Sequence, residues 1–77
     1  MNPNHIGRIA RAARRREGLR QDEIAALAGV GNRFVSELEN GKPGIELGRA
    51  LRVLNCLGLE LRIGPRGWED IERDERL

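Results

Sequence analysis

The stretch "QDEIAALAGVGNRFVSELENGK", residues 21–42, decides the fold. Its apolar helical pattern stops at Gly29 and restarts at Asn32. Two short helices that cross steeply need a small residue at their contact, a turn residue that tolerates positive φ, and apolar inward positions. Ala25 and Gly29 meet the first two demands, and the inward positions are apolar: Ile24, Ala28, Val30, Val35 and Leu38. The pattern predicts a helix-turn-helix; a helical hairpin with a glycine turn and no DNA role is the alternative.

A first helix precedes this unit. It is predicted to begin at Asn2-Pro3, because Asn caps helices and Pro suits their first position. One stripe of this helix carries apolar residues together with an arginine: Ile6, Ile9, Ala10, Ala13 and Arg14. We therefore expect Arg14 to point inward and to need an acidic partner. Arg11 and Arg15 are interpreted as a solvated face.

A fourth helix and a single strand follow the unit. The helix is predicted over about residues 46–57, with these apolar positions: Leu47, Ala50, Leu51, Val53, Leu54 and Leu57. Cys56 is interpreted as a small buried hydrophobe in a reducing compartment. Residues 59–63 then alternate apolar and charged side chains, which predicts a half-buried strand whose inward residues are Leu59, Leu61 and Ile63. Since no other segment predicts a strand, its expected partner is the same strand of a second copy.

The charge is divided unevenly along the chain. The net charge is +2, yet residues 1–66 hold 12 basic and 7 acidic residues, whereas residues 67–77 hold 2 and 5. The basic body indicates a polyanion partner. Within the acidic tail, Trp68 and Ile71 are either anchors for a protein partner or part of a solvating segment that repels non-specific DNA.

Several function classes find no support in the sequence. His5 and Cys56 lie too far apart for a metal-binding motif, so no metal and no other cofactor is expected. The glycines at 29 and 31 do not follow a strand, as a nucleotide-binding loop requires. No base lies near Ser36 in the sequence, and we expect no enzymatic activity. A signal peptide and a long apolar run are both absent, which predicts a cytoplasmic protein without a membrane partner.

The sequence resembles a known family of regulators. "RQDEIAALAGVGNRFVSELENGK", residues 20–42, resembles the helix-turn-helix of the Xre/Cro family, of the lambda-repressor type, and "LENGK" at its end is a recurrent family signature. The resemblance covers about residues 4–58. It implies an all-α, lambda-repressor-like bundle of four to five helices that binds a double-stranded DNA operator as a homodimer.

The next stretch narrows the resemblance. "PGIELGRALRVLNCLGLELRI", residues 43–63, resembles the HipB-like antitoxin branch. In that branch the short C-terminal strands of two protomers pair, and the partner is typically a HipA-like kinase toxin. We therefore expect a DNA-binding domain with a dimerisation strand at residues 1–63 and an acidic tail at residues 64–77.

The second helix of the unit is expected to place its first turns in the major groove. Its outward residues, which the resemblance also supports as base readers or their neighbours, are Asn32, Arg33, Ser36 and Glu37. Arg33 suits guanine and Asn32 suits adenine. Glu37 either accepts from a cytosine amino group or forms a surface pair with Arg33. Phe34 either touches a thymine methyl group or packs against the fourth helix.

Phosphate contacts and a structural ion pair complete the expected site. Gln21 lies at a positive helix end that favours phosphate, Arg20 is a further phosphate contact, and the resemblance adds Asn40 and Lys42 as clamps. The resemblance also places a largely buried pair between the first and third helices. Arg14 and Glu39 match it, and we interpret this pair as architecture rather than readout.

The leading functional hypothesis is a sequence-specific repressor that is also the antitoxin of a HipBA-like operon and represses its own promoter. One alternative is a stand-alone Xre-type regulator from a phage or mobile element, with no toxin. A further alternative is a protein-interaction adaptor built on the same fold. The sequence does not specify the operator, the toxin or an effector.

Overall fold

A computed structural model describes residues 2–64, which contain four helices. They are α1 (Pro3–Arg16), α2 (Gln21–Ala28), α3 (Asn32–Glu39) and α4 (Leu47–Cys56). α1 packs on α3, and α2 packs on both α3 and α4. This arrangement confirms the predicted all-α helix-turn-helix bundle.

Local chemistry sets where the helices begin. The Asn2 side chain accepts a hydrogen bond from the His5 N–H at 2.8 Å, which confirms the predicted cap of α1. At α2 the Glu23 carboxylate accepts from the Arg20 N–H at 2.8 Å, so the return half of a capping box forms. The guanidinium of Arg20 has no acceptor and cannot supply the other half. α4 begins after Glu46, which accepts from two backbone N–H groups, those of Gly48 and Arg49.

The turn between α2 and α3 has the predicted backbone. Gly29 has φ of +68°, a left-handed conformation that costs glycine least. Val30 follows and lies partly buried against the core. Gly31 is the extended residue before α3 and provides no side-chain cap. The chain thus turns within three residues, and α3 begins at Asn32.

The core is aliphatic and rich in alanine. Its largest fully buried side chains are Ile24, Val35 and Val53, one from each of three helices. Small residues allow the helices to approach closely; the buried ones are Ala10, Ala13, Ala25, Ala28 and Ala50. Phe34 is partly buried against this core, in keeping with packing rather than with full exposure to DNA.

Some side chains on the apolar patterns lie at the surface. Cys56 is exposed, so its interpretation as a buried hydrophobe is wrong. The inward stripe of α4 passes through Ala50, Val53 and Leu54, and position 56 falls outside it. Four large apolar residues are also substantially exposed, namely Ile9, Leu27, Leu47 and Ile63. Leu47 opens α4, before the helix reaches the core.

α1 crosses the end of α3 at a glycine that the apolar pattern did not single out. A Cβ on Gly7 would lie 2.5 Å from the Leu38 carbonyl oxygen and 2.6 Å from that of Glu39. Gly41, just past α3, has φ of +76°, and a Cβ there would overlap Asn4 of α1. Glycine at positions 7 and 41 therefore sets the distance between α1 and α3.

Residues 59–63 leave α4 as an irregular segment without a strand partner among residues 2–64. Leu59 packs partly against the core, and Leu61 lines a groove with Pro3 and Ile6 of α1. Ile63 remains 79% exposed. Because the predicted partner strand belongs to a second copy, pairing through Leu59, Leu61 and Ile63 stays a prediction.

The crossing of α1 and α3 generates a stability prediction. Gly7→Ala should lower the free energy of unfolding by about 2–3 kcal/mol, because two backbone carbonyls must move apart to admit the methyl group. This loss is net of a gain of about 1 kcal/mol in helix propensity. Urea denaturation followed by circular dichroism measures it. Gly48→Ala is the control, since its Cβ would meet the end of the Glu46 side chain rather than backbone carbonyls. Equal midpoints for the two variants would contradict the close crossing.

Candidate nucleic-acid interface

The first turn of α3 presents two of the predicted base readers to solvent. Asn32 and Arg33 are both exposed, and the Arg33 side chain is 91% accessible. Val35 and Leu38, on the opposite side of the same helix, are buried. The helix therefore has one face in the core and one that a major groove can receive.

Glu37 lies between two cations on this outward face. Its Oε2 atom is 3.4 Å from Arg33 Nε, one helical turn earlier. Lys42 Nζ donates to the same oxygen at 3.2 Å. The surface pair between Glu37 and Arg33, one of two roles that the sequence left open, is thus present. A predicted base reader and a predicted phosphate clamp share one carboxylate.

A second set of contacts joins the middle of α3 to α1. The Asn40 Nδ2 group donates to Ser36 Oγ at 3.4 Å, and Asn40 Oδ1 accepts from Arg11 Nη2 at 3.2 Å. Arg11 Nε is also 3.4 Å from Glu39 Oε1. These contacts fix the side chain of a predicted phosphate clamp before any ligand arrives.

The ion pair between Arg14 and Glu39 is buried. Arg14 Nε donates to Glu39 Oε2 at 2.6 Å, and Arg14 Nη2 donates to Oε1 at 3.0 Å, which makes the pair bidentate. Arg14 Nη1 donates to the Leu19 carbonyl at 2.8 Å. Only 5% of Glu39 is exposed. The ion pair therefore joins α1, the α1–α2 loop and α3, the loop through Arg14 Nη1, as expected from the inward position of Arg14.

The surroundings of Glu39 determine its ionisation. Burial alone would raise its pKa, but hydrogen bonds from Arg14, Gln21 and Arg11 together with the Arg14 charge outweigh burial. The pKa of Glu39 consequently lies below its ordinary value of 4.5. The hydrogen bond to Glu39 raises the pKa of Arg14, against the opposing effect of burial. Both groups are charged in the folded protein.

The predicted phosphate contacts are arranged in different ways. Gln21 turns its Nε2 group toward Glu39 Oε1, at 3.1 Å, so its side chain is attached to the ion pair. Arg20 lies in solvent beside Asp22, with Nε 3.2 Å from the carboxylate. Lys42 is exposed beside Glu37. Contacts connect Gln21, through Glu39 and Arg11, to Asn40, whereas Arg20 and Asn32 have no such link among residues 2–64.

Arg11 is the residue that the sequence interpretation missed. It was assigned to a solvated face, yet it contacts Glu39 and Asn40 across 28 and 29 positions. The available signal was Gly7, one helical turn earlier, since a glycine inside a helix marks a close approach to another element. Residues on that side of α1 must meet α3.

Comparison with known proteins matches most of the chain to one family. The family model described as Helix-turn-helix (HTH_3) matches residues 11–63, well over half of the chain. The chain belongs to this helix-turn-helix family. It is a DNA-binding transcriptional regulator of the Xre type, in agreement with the resemblance carried by residues 20–42.

A relative and several solved structures are similar to this helix-turn-helix protein. The chain is 48% identical over 61 residues to the uncharacterized HTH-type transcriptional regulator y4mF of Sinorhizobium fredii, covering 79% of this chain and 80% of the relative. A structure named MDT Protein covers 84% of this chain and 92% of its own, with a TM-score of 0.77 and 22% identity. Two HipB complexes, one with an O2 20mer and one with an O4 20mer, have the same TM-score and identity. They cover 84% of this chain and 90% and 92% of their own. These structures establish the shared fold.

Residues 2–64 contain neither a membrane-spanning helix nor a metal-binding cluster. No helix there is long and apolar enough to cross a membrane. The same residues hold no group of three or more His, Cys, Asp or Glu side chains arranged to bind a metal ion. Trp68 and Ile71, the predicted partner anchors, lie outside the described residues.

The buried pair generates a prediction about stability. Glu39→Gln should lower the free energy of unfolding by about 3–5 kcal/mol, because the Arg14 guanidinium would stay buried without a countercharge. The double variant Arg14→Met/Glu39→Met should recover most of this loss, since neither charge remains. Chemical denaturation of both proteins measures the difference. Equal destabilisation of single and double variants would contradict the unpaired-charge explanation.

The same pair predicts a pH dependence. A carboxylate with a lowered pKa contributes stability that is fully present above its unfolded pKa and disappears as the pH falls through its folded pKa. For Glu39 the stability difference between the wild type and Glu39→Gln should therefore be constant near neutral pH and shrink below about pH 4.5. Denaturation midpoints across the acidic range measure it.

Proposed function

We propose that the protein is a dimeric, sequence-specific repressor that reads its operator through Asn32, Arg33 and Ser36. The observation that carries the proposal is Arg33, whose side chain is 91% exposed at the start of a helix fixed from behind by a buried ion pair. A guanidinium held at that position binds the O6 and N7 atoms of guanine bidentately. Asn32, one residue earlier, is free to bind adenine.

Contacts with DNA phosphates position α3, the helix that carries the proposed base readers. Lys42 and Arg20 supply cations, and Gln21 and Asn40 supply amides, at the two ends of the helix-turn-helix. Contacts to phosphate carry no sequence information, but they set the register of the reading helix on the duplex. Arg11 contributes to the same function, because its contacts with Asn40 and Glu39 hold the clamp against α3.

Two copies make the operator contact. The exposed Ile63 and half-buried Leu61 support pairing of residues 59–63 with the same segment of a second copy. A strand needs a partner for its backbone groups, and a two-fold axis supplies one. The two reading helices then lie about 34 Å apart, which is one turn of DNA, so the operator has two-fold related half-sites.

The antitoxin role is a narrower proposal. It is supported by the resemblance of residues 43–63 to the HipB-like branch and by the fold shared with HipB. The partner would be a HipA-like kinase, which Trp68 and Ile71 would anchor. A stand-alone regulator differs by having no such partner. Co-purification with the product of the neighbouring gene, before and after deletion of residues 67–77, separates the two roles.

The proposed reader predicts a loss of DNA binding. Arg33→Ala should abolish binding of a duplex selected by the wild-type protein from a random pool, since one bidentate guanine contact is worth about 1–3 kcal/mol in each half-site. Gel-shift titration measures it. Arg15→Ala is the matched control, because it removes an exposed arginine from α1. Unchanged binding by Arg33→Ala would overturn its assignment. An adaptor without a DNA role predicts no salt-dependent binding by the wild type at all.

The proposed dimer predicts the effect of one surface substitution. Ile63→Asp should leave the helical bundle folded, because this side chain is 79% exposed in the single chain, and should convert the dimer to a monomer. Sedimentation equilibrium measures the mass, and circular dichroism measures the fold. Arg62→Ala alters the neighbouring side chain, whose hydrogen bonds in the described chain go to Glu60, and should remain dimeric. A monomeric wild type would contradict this proposal.

A further inference from the structure

A carboxylate at the centre of a DNA-binding face needs a physical reason. Phosphates repel it, and DNA binding gains affinity from each cation that neutralises a phosphate. Glu37 nevertheless lies on the outward side of α3, within one helical turn of Arg33. Its side chain is 28% exposed, so most of its surface is covered by neighbouring atoms.

The contact geometry leaves the guanine-binding part of Arg33 free. Glu37 Oε2 approaches Arg33 at Nε, 3.4 Å away. A guanidinium has five N–H donors, and four of them are on the two Nη groups. These four remain available to bind O6 and N7 of guanine end-on while Nε faces the carboxylate. Glu37 therefore restrains a long, flexible side chain without competing for the base.

The same carboxylate penalises contacts with phosphate. Lys42 Nζ is 3.2 Å from Glu37 Oε2, so Glu37 offsets the charge of both cations. A phosphate that approaches Lys42 or Arg33 must displace the carboxylate or lie close to it. A guanine edge is a neutral acceptor and meets a much smaller repulsion. The arrangement weakens binding to arbitrary DNA more than binding to the correct base.

We propose that Glu37 is a specificity-determining residue that acts through Arg33 and Lys42 rather than by reading a base. It orients Arg33 toward guanine and withholds two cations from the backbone of non-cognate DNA. The inference rests on the proposed DNA-binding function. It differs from the cytosine contact considered for Glu37, in which the carboxylate itself accepts from a base.

Neutralising Glu37 at constant shape tests the inference. Glu37→Gln and the wild type are titrated, over a range of salt concentrations, with the selected duplex and with a scrambled duplex of the same composition. Each additional neutralised phosphate steepens the log–log salt dependence by about 0.9 and raises affinity by about eightfold at 0.1 M salt. We expect this gain on the scrambled duplex, by one or two phosphates, and a smaller gain on the selected duplex. The ratio of the two affinities therefore falls.

A matched control separates the effect of the charge at position 37 from the effect of the net charge of the protein. Glu17→Gln removes the same charge from an exposed residue at the end of α1, outside α3, and should leave the salt dependence close to that of the wild type. An equal effect of the two variants would overturn the local role of Glu37.

The remaining outcomes are distinguishable. A loss of affinity for the selected duplex with no gain on the scrambled duplex overturns the inference, because removal of the carboxylate then releases no cation to phosphate. Unchanged affinities for both duplexes also overturn it, while the repressor function stands. If the wild-type protein binds neither duplex, the proposed function itself fails.

Discussion

The buried ion pair between Glu39 and Arg14 is the interaction on which the described fold depends. The Glu39 carboxylate accepts two hydrogen bonds from Arg14 and one from Gln21, with Arg11 Nε 3.4 Å away, and it is almost inaccessible to solvent. A small domain has a modest core and therefore little apolar burial to fix the relative positions of its helices. A bidentate charge pair adds direction, which apolar contacts lack. The α1–α3 crossing at Gly7 brings these groups within reach of one another.

This arrangement links the core to the DNA-binding face. Gln21 opens α2 and Asn40 follows α3, and both connect to Glu39, directly or through Arg11. Gln21 and Asn40, two of the four residues proposed to bind phosphate, thus share a single buried anchor. Their positions are established in the free protein, so that less conformational entropy is lost when DNA binds.

The sequence predicted the fold well because its decisive features are local. Gly29 for the turn, Ala25 at the crossing and the inward positions of α2 and α3 follow from helical period and turn chemistry alone. The inward position of Arg14 also followed from its stripe. Arg11 and Gly7 were missed, because their roles depend on which element packs against α1, and periodicity within one helix contains no such information. The interpretation of Cys56 as buried was wrong for a related reason, because the apolar run on α4 is wider than the face that the core covers.

Within the site, the sequence predicted the positions of side chains better than their partners. Arg33 and Asn32 are exposed as expected, because the first turn of a helix that follows a tight turn projects away from the core. The partner of Gln21 could not be predicted from the sequence, since its amide can donate either to a phosphate or to the Glu39 carboxylate, which lies 18 positions away. The four residues Ser36 to Glu39 show how finely the helix divides these tasks. Within about one turn, they supply a half-buried hydroxyl that accepts from Asn40, a carboxylate beside two surface cations, a core leucine and the buried anchor. The two glutamates occupy different sides of α3, and that difference buries Glu39 against Arg14 and leaves Glu37 at the surface beside Arg33 and Lys42.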